Sequence, residues 1–511
     1  MQEQKPYQHQ PSNQVYGQWQ GYVRLAPLRN LSYMHRRTFL TGLASATACT
    51  VSQKAFGTLS PATLSGNNTI PIHFDPAKTL GSVSANFVGL GYEISSVSTP
   101  GLLSAANRSY VQFVRTLGAN GVIRIGGNTS DYSSFDPHGQ PISSPKASVV
   151  TEANLEELGT FLKATGWQLI WGLNLGKGSE QEAVDEAKAV SAIAGDSLLA
   201  FEIGNEPDLF SNEGHRPQGY SYENYLADYR RYKQAVRASL PHASFAGPDV
   251  AGHTEWVTRF AQDEGSDLKL LTHHYYREGQ NPLSTLDKLL NPDPHLATLL
   301  EKLKQASLAS HLPYRICETN SFSGGGRPGV SDTFGAALWV LDYMFTLASA
   351  GAAGVNIETG INQLNFISSY SPIGDNGHGI YTASQPYYGM LAFAQATKGQ
   401  LAALKYETSG VNLRAYATVA SSGRSSITII NKDHSQDAHI LLTASTPFRR
   451  ARVLRLTAPS LESKDNIQLG NAGVSPDGTW RSAPEEIATF DPQGWSVPVP
   501  AGSAAIVQLE S

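Results

Sequence analysis

The sequence predicts an α/β fold, a (β/α)8 TIM barrel joined to a second, all-β sandwich domain, and three observations carry that expectation. Short apolar runs alternate with longer helix-period segments from about residue 85 to 360. No G-x-G-x-x-G opens the first helix, which disfavours an open doubly wound sheet. After about residue 390 the texture changes to short runs of period two, separated by Gly, Pro, Ser and Asp.

The strand-like runs are FVGLGYEI at 87–94, GVIRIGG at 121–127, WQLIWGLNL at 167–175, LLAFEIGNEP at 198–207, SFAGPDV at 244–250, LKLLTHHYY at 268–276, YRICETN at 314–320 and GVNIETG at 354–360. Eight strands with intervening helices over this length are what a closed barrel requires. The segment at 151–166 sets Leu155, Leu158, Phe161 and Leu162 on one helical face, and its Thr151 start is rich in acidic residues. At 331–351, Ser331 and Asp332 are natural cap residues and Gly351 a natural stop. The charged face at 179–189, with Glu180, Glu182, Asp185 and Glu186, reads as solvated surface.

Beyond the barrel, runs at 412–420, 425–432, 437–444, 451–458 and 501–510 read as strands of a sandwich. Residues 65–84 precede the first barrel strand and could add to the same module. The expected division is 1–57 leader and export signal, 85–388 barrel, and 389–511 with about 65–84 as the β domain.

At 511 residues the chain is long enough for two folded units, and its 41% apolar, 16% charged composition is globular. A net charge of −5 lacks the basic excess of a general nucleic-acid binder. Two cysteines, Cys49 and Cys317, exclude a disulfide scaffold and a thiolate-rich metal site. The stretch MHRRTFLTGLASATACTVSQKAFG at 34–57 resembles a twin-arginine export signal, through Arg36-Arg37 and the small-residue apolar run that follows. That run is about thirteen residues, short of the roughly 18 that suggest a membrane span. The expectation is an exported protein, periplasmic or extracellular, without a membrane span.

Barrel enzymes carry their chemistry at the C-terminal ends of the strands. Here those ends bear Glu93, Asn128, Asn174, Asn205-Glu206-Pro207, Asp249, His274-Tyr275-Tyr276, Glu318 and Glu358. Carboxylates, amides and aromatics converging on one mouth suit a sugar. Glycoside cleavage needs one carboxylic acid to protonate the leaving oxygen and one carboxylate for the oxocarbenium-like centre. Glu206 and Glu318, after the fourth and seventh strands, are the candidates. His273 and His274 have no further cluster of metal-ligand spacing beside them, so no metal is expected. Strand alternation turns Tyr275 away from Tyr276 and Cys317 away from the mouth.

Three segments also carry a family resemblance. FEIGNEPDLF at 201–210, THHYYREG at 272–279 and ICETNSFSGGGRPGVSDTF at 316–334 resemble glycoside hydrolase family 79, which includes bacterial β-glucuronidases and heparanase. The resemblance implies a retaining exo-β-glucuronidase, working on β-linked glucuronic acid without cofactor. Endo-cleavage of an acidic polysaccharide and non-catalytic sugar binding are the alternatives. Carried over, it makes Glu206 the acid/base and Glu318 the nucleophile. It assigns Tyr276 to the nucleophile's hydrogen bond, Asn205 to the 2-hydroxyl, Glu93 to distal hydroxyls, and either Asn128 or Thr129 to a further hydroxyl. Gly324, Gly325 and Tyr370 are assigned to the uronate carboxylate. The strand-end loops offer only scattered cations, Lys177, Arg216, Arg277 and Arg327, which favours exo action over cutting within a sulfated chain.

Overall fold

In the computed structural model, which describes residues 69–141, 147–360, 368–376, 378–397 and 399–510, the eight apolar runs close into a parallel barrel. The strands are, in order, Val88–Glu93, Val122–Gly126, Gln168–Leu173, Leu198–Ile203, Phe245–Val250, Leu268–Tyr276, Tyr314–Asn320 and Gly354–Glu358. Each pairs with the next, and the eighth returns to the first through Val355–Val88. A small layer of Val122, Ile170, Ala200, Ala246, Leu270 and Cys317 fills the barrel interior. Below the mouth the barrel also encloses Arg315, whose guanidinium donates to Asn356 Oδ1 at 2.6 Å and to the Phe87 and Val355 carbonyls.

Helices wrap the strands as their apolar stripes dictate. Glu152–Thr165 buries Leu155, Leu158, Phe161 and Leu162, starts from a reciprocal Thr151–Asn154 capping box, and stops at left-handed Gly166. Phe334–Ser349 begins later than the cap residues in its sequence suggest. Ser331 instead accepts from the Arg327 amide and bonds Ser321, while Asp332 pairs with Lys464. The helix Glu180–Ala194 departs from a wholly solvated charged face. Glu186 is 5% exposed and accepts the Trp171 indole N–H at 3.0 Å, and burial raises its carboxyl to about 8.

The second module is one continuous 11-stranded sheet rather than two separate sheets. Its N-terminal strand, Thr69–Ser82, runs parallel to Ala438–Ala444 on one side and antiparallel to Gln400–Lys405 on the other. The sheet curls so that one face encloses its own core, with Ile427, Ile429, Ile440, Val497 and Val507. Ile430, Ala504 and Ile506, on the opposite face, join the barrel's core. That double burial explains why residues 501–510 read as a nearly unbroken apolar run. Asp342 on a barrel helix binds Lys432 at 2.5 Å and the Tyr416 hydroxyl at 2.6 Å, tying the sheet to the barrel. Among the described residues no helix is long and apolar enough to cross a membrane. The segment at 1–57, expected from sequence to be leader and export signal, lies outside the described residues.

Candidate active site

The fourth and fifth strands end in two non-glycine residues with left-handed backbone, Glu206 at φ 51° and Asp249 at φ 58°. Such conformations persist only where surrounding contacts impose them. The Glu206 amide donates to the Asp249 carbonyl at 2.9 Å, and Asp208 accepts from the amides of residues 251, 252 and 253. Asp131 gathers the neighbouring loops, accepting the amides of Leu175, Gly176 and Asn205 at 2.8–3.0 Å. Its carboxyl is pushed up to about 7, chiefly by burial.

Glu206 and Glu318 face one another across this mouth, each side chain 12% exposed. They and His274 each present a ligand-type atom, all within 4.8 Å of one another. Beneath them lies Arg124, fully buried on the second strand. Its guanidinium donates to Glu318 Oε2 at 2.8 Å, Asp249 Oδ2 at 2.5 Å, Glu202 Oε2 at 3.2 Å and Asn205 Oδ1 at 2.8 Å. His274 bridges two carboxylates, with Nδ1 2.9 Å from Glu206 Oε1 and Nε2 2.7 Å from Asp249 Oδ1.

Those contacts assign the protons. Burial opposes charge on His274, but Asp249 and Glu318 overcome it and hold the imidazolium well above its usual range. Burial likewise acts to raise Asp249, yet Arg124 and His274 hold it below the ordinary carboxylate range. Glu202, clustered with Asp249, is pushed up to about 7, first by burial and then by Asp249. Burial also raises Glu206, against the pull of His274. His274 occupies Glu206 Oε1 as a donor, so the proton of a neutral Glu206 resides on Oε2.

The rest of the pocket lies towards the first and eighth strands. Glu93 Oε2 accepts from the Thr129 amide at 2.7 Å and hydroxyl at 2.6 Å, and burial, reinforced by Glu318, raises it to about 7. Gly127 makes room for it: a Cβ there would stand 2.3 Å from Glu93 Oε2. Asn128 is exposed at the rim and accepts from Asn205 Nδ2 at 3.3 Å. Tyr276 donates to Glu318 Oε1 at 3.0 Å and stacks on Tyr370, with ring centroids 6.3 Å apart. Glu358 is buried in this wall, with its carboxyl raised by burial and by Glu318. Gly324 and Gly325 have φ 78° and 86°, and their carbonyls are taken by Gln280 and Ser369. Their N–H groups, and that of Gly326, donate to no acceptor among the described residues. Hydrogen bonds and ring contacts thus link Asn128, Asn205, Glu318, Tyr276 and Tyr370, and Gly325 approaches this set through Ser369, the residue before Tyr370.

The Glu206, His274 and Glu318 cluster has metal-like proximity, but its chemistry is that of an ion pair. Both ring nitrogens of His274 meet carboxylates, and the neighbouring Asp249 and Glu318 favour the charged ring. His273 is buried neutral, lowered to about 4 by desolvation. Cys317 is buried in the barrel interior rather than turned out of it, near Glu202 and Asp249. The pairing of its strand shifts between Ile316 and Glu318, which breaks the simple alternation.

Arg124, Glu202 and Asp131 were not picked out from sequence. Arg124 and Glu202 had a signal, a lone charge inside an apolar strand run (GVIRIGG, LLAFEIG) that burial makes costly unless paired. Asp131 sits in a loop and had none.

No known family profile matches the chain. It is 28% identical over 341 residues to a β-glucuronidase of Aspergillus niger, covering 60% of this chain and 62% of that protein. A β-glucuronidase of Neurospora crassa is 29% identical over 323 residues, covering 54% and 56%. Mouse heparanase is 22% identical over 345 residues, covering 56% and 64%. Each match thus spans less than two thirds of the relative's length. Among solved structures, a 4-O-α-L-rhamnosyl-β-D-glucuronidase from Fusarium oxysporum superposes with TM-score 0.71 at 21% identity, over 86% of this chain and all of that one. A family 51 arabinofuranosidase from Xanthomonas axonopodis pv. citri gives 0.64 at 16% identity, over 87% and 100%. Both share the barrel-plus-sheet fold. The chain is therefore a homologue of the β-glucuronidases and heparanases, in agreement with the family 79 resemblance of its motifs.

Proposed function

We propose that the protein is a retaining exo-β-glucuronidase that removes β-linked glucuronic acid by double displacement. The observation that carries this is the approach of one carboxyl oxygen of Glu206 to one of Glu318 within 4.8 Å, too close to leave room for the water of an inverting site. Retaining enzymes keep their two carboxyl groups about 5–5.5 Å apart, and inverting ones about 6.5–9.5 Å.

Glu318 attacks the anomeric carbon as the bond to the aglycone oxygen breaks, and that oxygen takes the proton from Glu206 Oε2. Glu206, now a carboxylate, then removes a proton from water, whose oxygen displaces Glu318 and frees the sugar. Tyr276 and Arg124 each hold one oxygen of Glu318, which orients the attacking lone pair. Asn205 turns its carbonyl to Arg124, leaving Nδ2–H to donate to a substrate 2-hydroxyl near Asn128.

Support for a uronate comes from the Gly324–Gly326 amides, whose N–H groups meet no acceptor among the described residues and suit an anion. Arg327 follows them, and its half-buried side chain makes no ion pair among the described residues. Exo action is favoured because Lys177, Arg216 and Arg277 are engaged with backbone carbonyls rather than offered to a polymer. The resemblance of the segment at 34–57 to a twin-arginine signal supports export of the protein. The test compares 4-nitrophenyl β-D-glucuronide with 4-nitrophenyl β-D-glucoside. Preference for the glucuronide is expected, and preference for the glucoside would overturn the uronate assignment.

A further inference from the structure

We propose that Asp249, which touches no substrate in the mechanism above, is a positioning residue that acts through His274 to place the acidic proton of Glu206. The inference rests on the glycosidase reading of the Glu206–Glu318 pair and extends it to a third layer.

Asp249 offers only acceptors, and its Oδ1 lies 2.7 Å from His274 Nε2. Nε2 must therefore carry hydrogen. The other ring nitrogen meets Glu206 Oε1 at 2.9 Å. With Asp249 ionised alongside, the ring holds its second proton too, and Nδ1–H donates to Oε1. That occupied Oε1 leaves Oε2 as the site for the acidic proton. An uncharged imidazole could instead turn the Nδ1 lone pair towards Glu206 and take the proton meant for the leaving group.

Charge balance supports the same assignment. Arg124 and His274 supply two positive charges, and Asp249 and Glu318 are the carboxylates tied to Arg124 and nearest to it. Glu202, also on Arg124, has its carboxyl raised to about 7 by burial and by Asp249, and counts as neutral below that pH. The cluster is then neutral with Glu206 protonated, which is the state that can start glycosyl transfer. The other charged groups around Glu206 are Asp208 and Glu213 on the following loop, both acidic. None of them lies on the His274–Asp249 line.

Two variants separate this role from structural support, because they move the basic limb of the kcat/KM profile in opposite directions. Asp249→Asn removes the charge that keeps the second proton on His274, so the uncharged ring takes the proton of Glu206 and the Glu206–His274 pair, with one negative charge fewer beside it, is deprotonated earlier. The basic limb should fall by about one pH unit. His274→Gln removes the cation itself, so Glu206 keeps its proton longer and the limb should rise by a similar amount. In both, kcat/KM should drop at least tenfold more for phenyl β-glucuronide than for the 4-nitrophenyl substrate, since only the poorer leaving group needs the proton. Equal losses on both substrates, or limbs that stay put or move together, would overturn the proposal. In the wild type, 15N-histidine spectra should retain an imidazolium above pH 8. Its absence overturns the proposal even if the variants fail to fold. A wild type that hydrolyses neither glucuronide nor glucoside contradicts the glycosidase reading instead, while the spectrum still judges His274.

Discussion

Replacing Arg124 by methionine puts an apolar side chain of similar length in the barrel and removes one positive charge from beneath three carboxyl groups. The guanidinium lies 2.8 Å from Glu318, 2.5 Å from Asp249 and 3.2 Å from Glu202, and is fully buried. Removing one partner of a buried ion pair costs about 3–5 kcal/mol, because the remaining charge cannot be rehydrated. The compact unit Asn68–Ser511 unfolds with an entropy of roughly 0.9 kcal/mol/K, from about 2.1 cal/mol/K per residue. The expected loss is therefore about 3–5 °C in Tm by calorimetry at pH 7.5. The sign with pH is also set. Carboxyls left without a cation are raised above their unfolded values, so they cost stability as pH rises past about 4 and cost little below it. The gap between variant and wild type should narrow at pH 4.5. Activity should fall at least about a hundredfold, since Glu318 loses the group that orients Oε2 and Asn205 loses its anchor. A Tm within 1 °C of wild type at both pH values, with more than a tenth of kcat retained, would refute the view that Arg124 organises the site.

Glu206→Ala should lose most activity on poor leaving groups, keep more on activated aryl glycosides, and recover in azide. Equal loss on both classes without azide rescue would remove Glu206 as the acid/base. Glu93 is raised to about 7, mainly by burial, and becomes an anion beside a bound uronate above that pH. KM for a glucuronide should therefore climb above pH 7 while KM for a glucoside stays level; parallel curves would place the uronate elsewhere. Tyr370→Phe should lower kcat/KM for the glucuronide more than for the glucoside, and equal effects would make the tyrosine a packing residue alone. Glu186, raised to about 8 by burial, costs stability as pH climbs from its unfolded value near 4.3 to 8. Glu186→Gln should gain about 2–4 kcal/mol at pH 7.5 and almost nothing at pH 4, read as Tm, and no gain at pH 7.5 would contradict its burial as an acid.

The barrel was legible because its strands are buried on both faces and so stand out as apolar runs, with a helical stripe between each pair. The continuous sheet was harder to read as such. Two-faced burial of Ile427, Ile429 and Ile430 looks the same in sequence whether a sheet curls or splits. At the site, the groups at strand ends were legible because barrel geometry directs them to one mouth. Arg124 and Glu202 lie one layer deeper, where a charge inside an apolar run looks like an interruption until its partners are placed across the barrel. Those partners, Asp249 and Glu318, are 125 and 194 residues away from Arg124 in the chain. Glu186 shows the opposite error: a helix rich in acids reads as solvated, yet one turn of it faces Trp171.

The central claim is that Glu318 forms a covalent bond to the sugar, and trapping that intermediate tests it most directly. A 2-deoxy-2-fluoro-β-glucuronide with an activated leaving group should inactivate the enzyme with release of one aglycone per chain. Mass spectrometry of the digested protein should place the fluoroglucuronyl group on Glu318. Turnover without any label, or a label on another residue, would contradict the account.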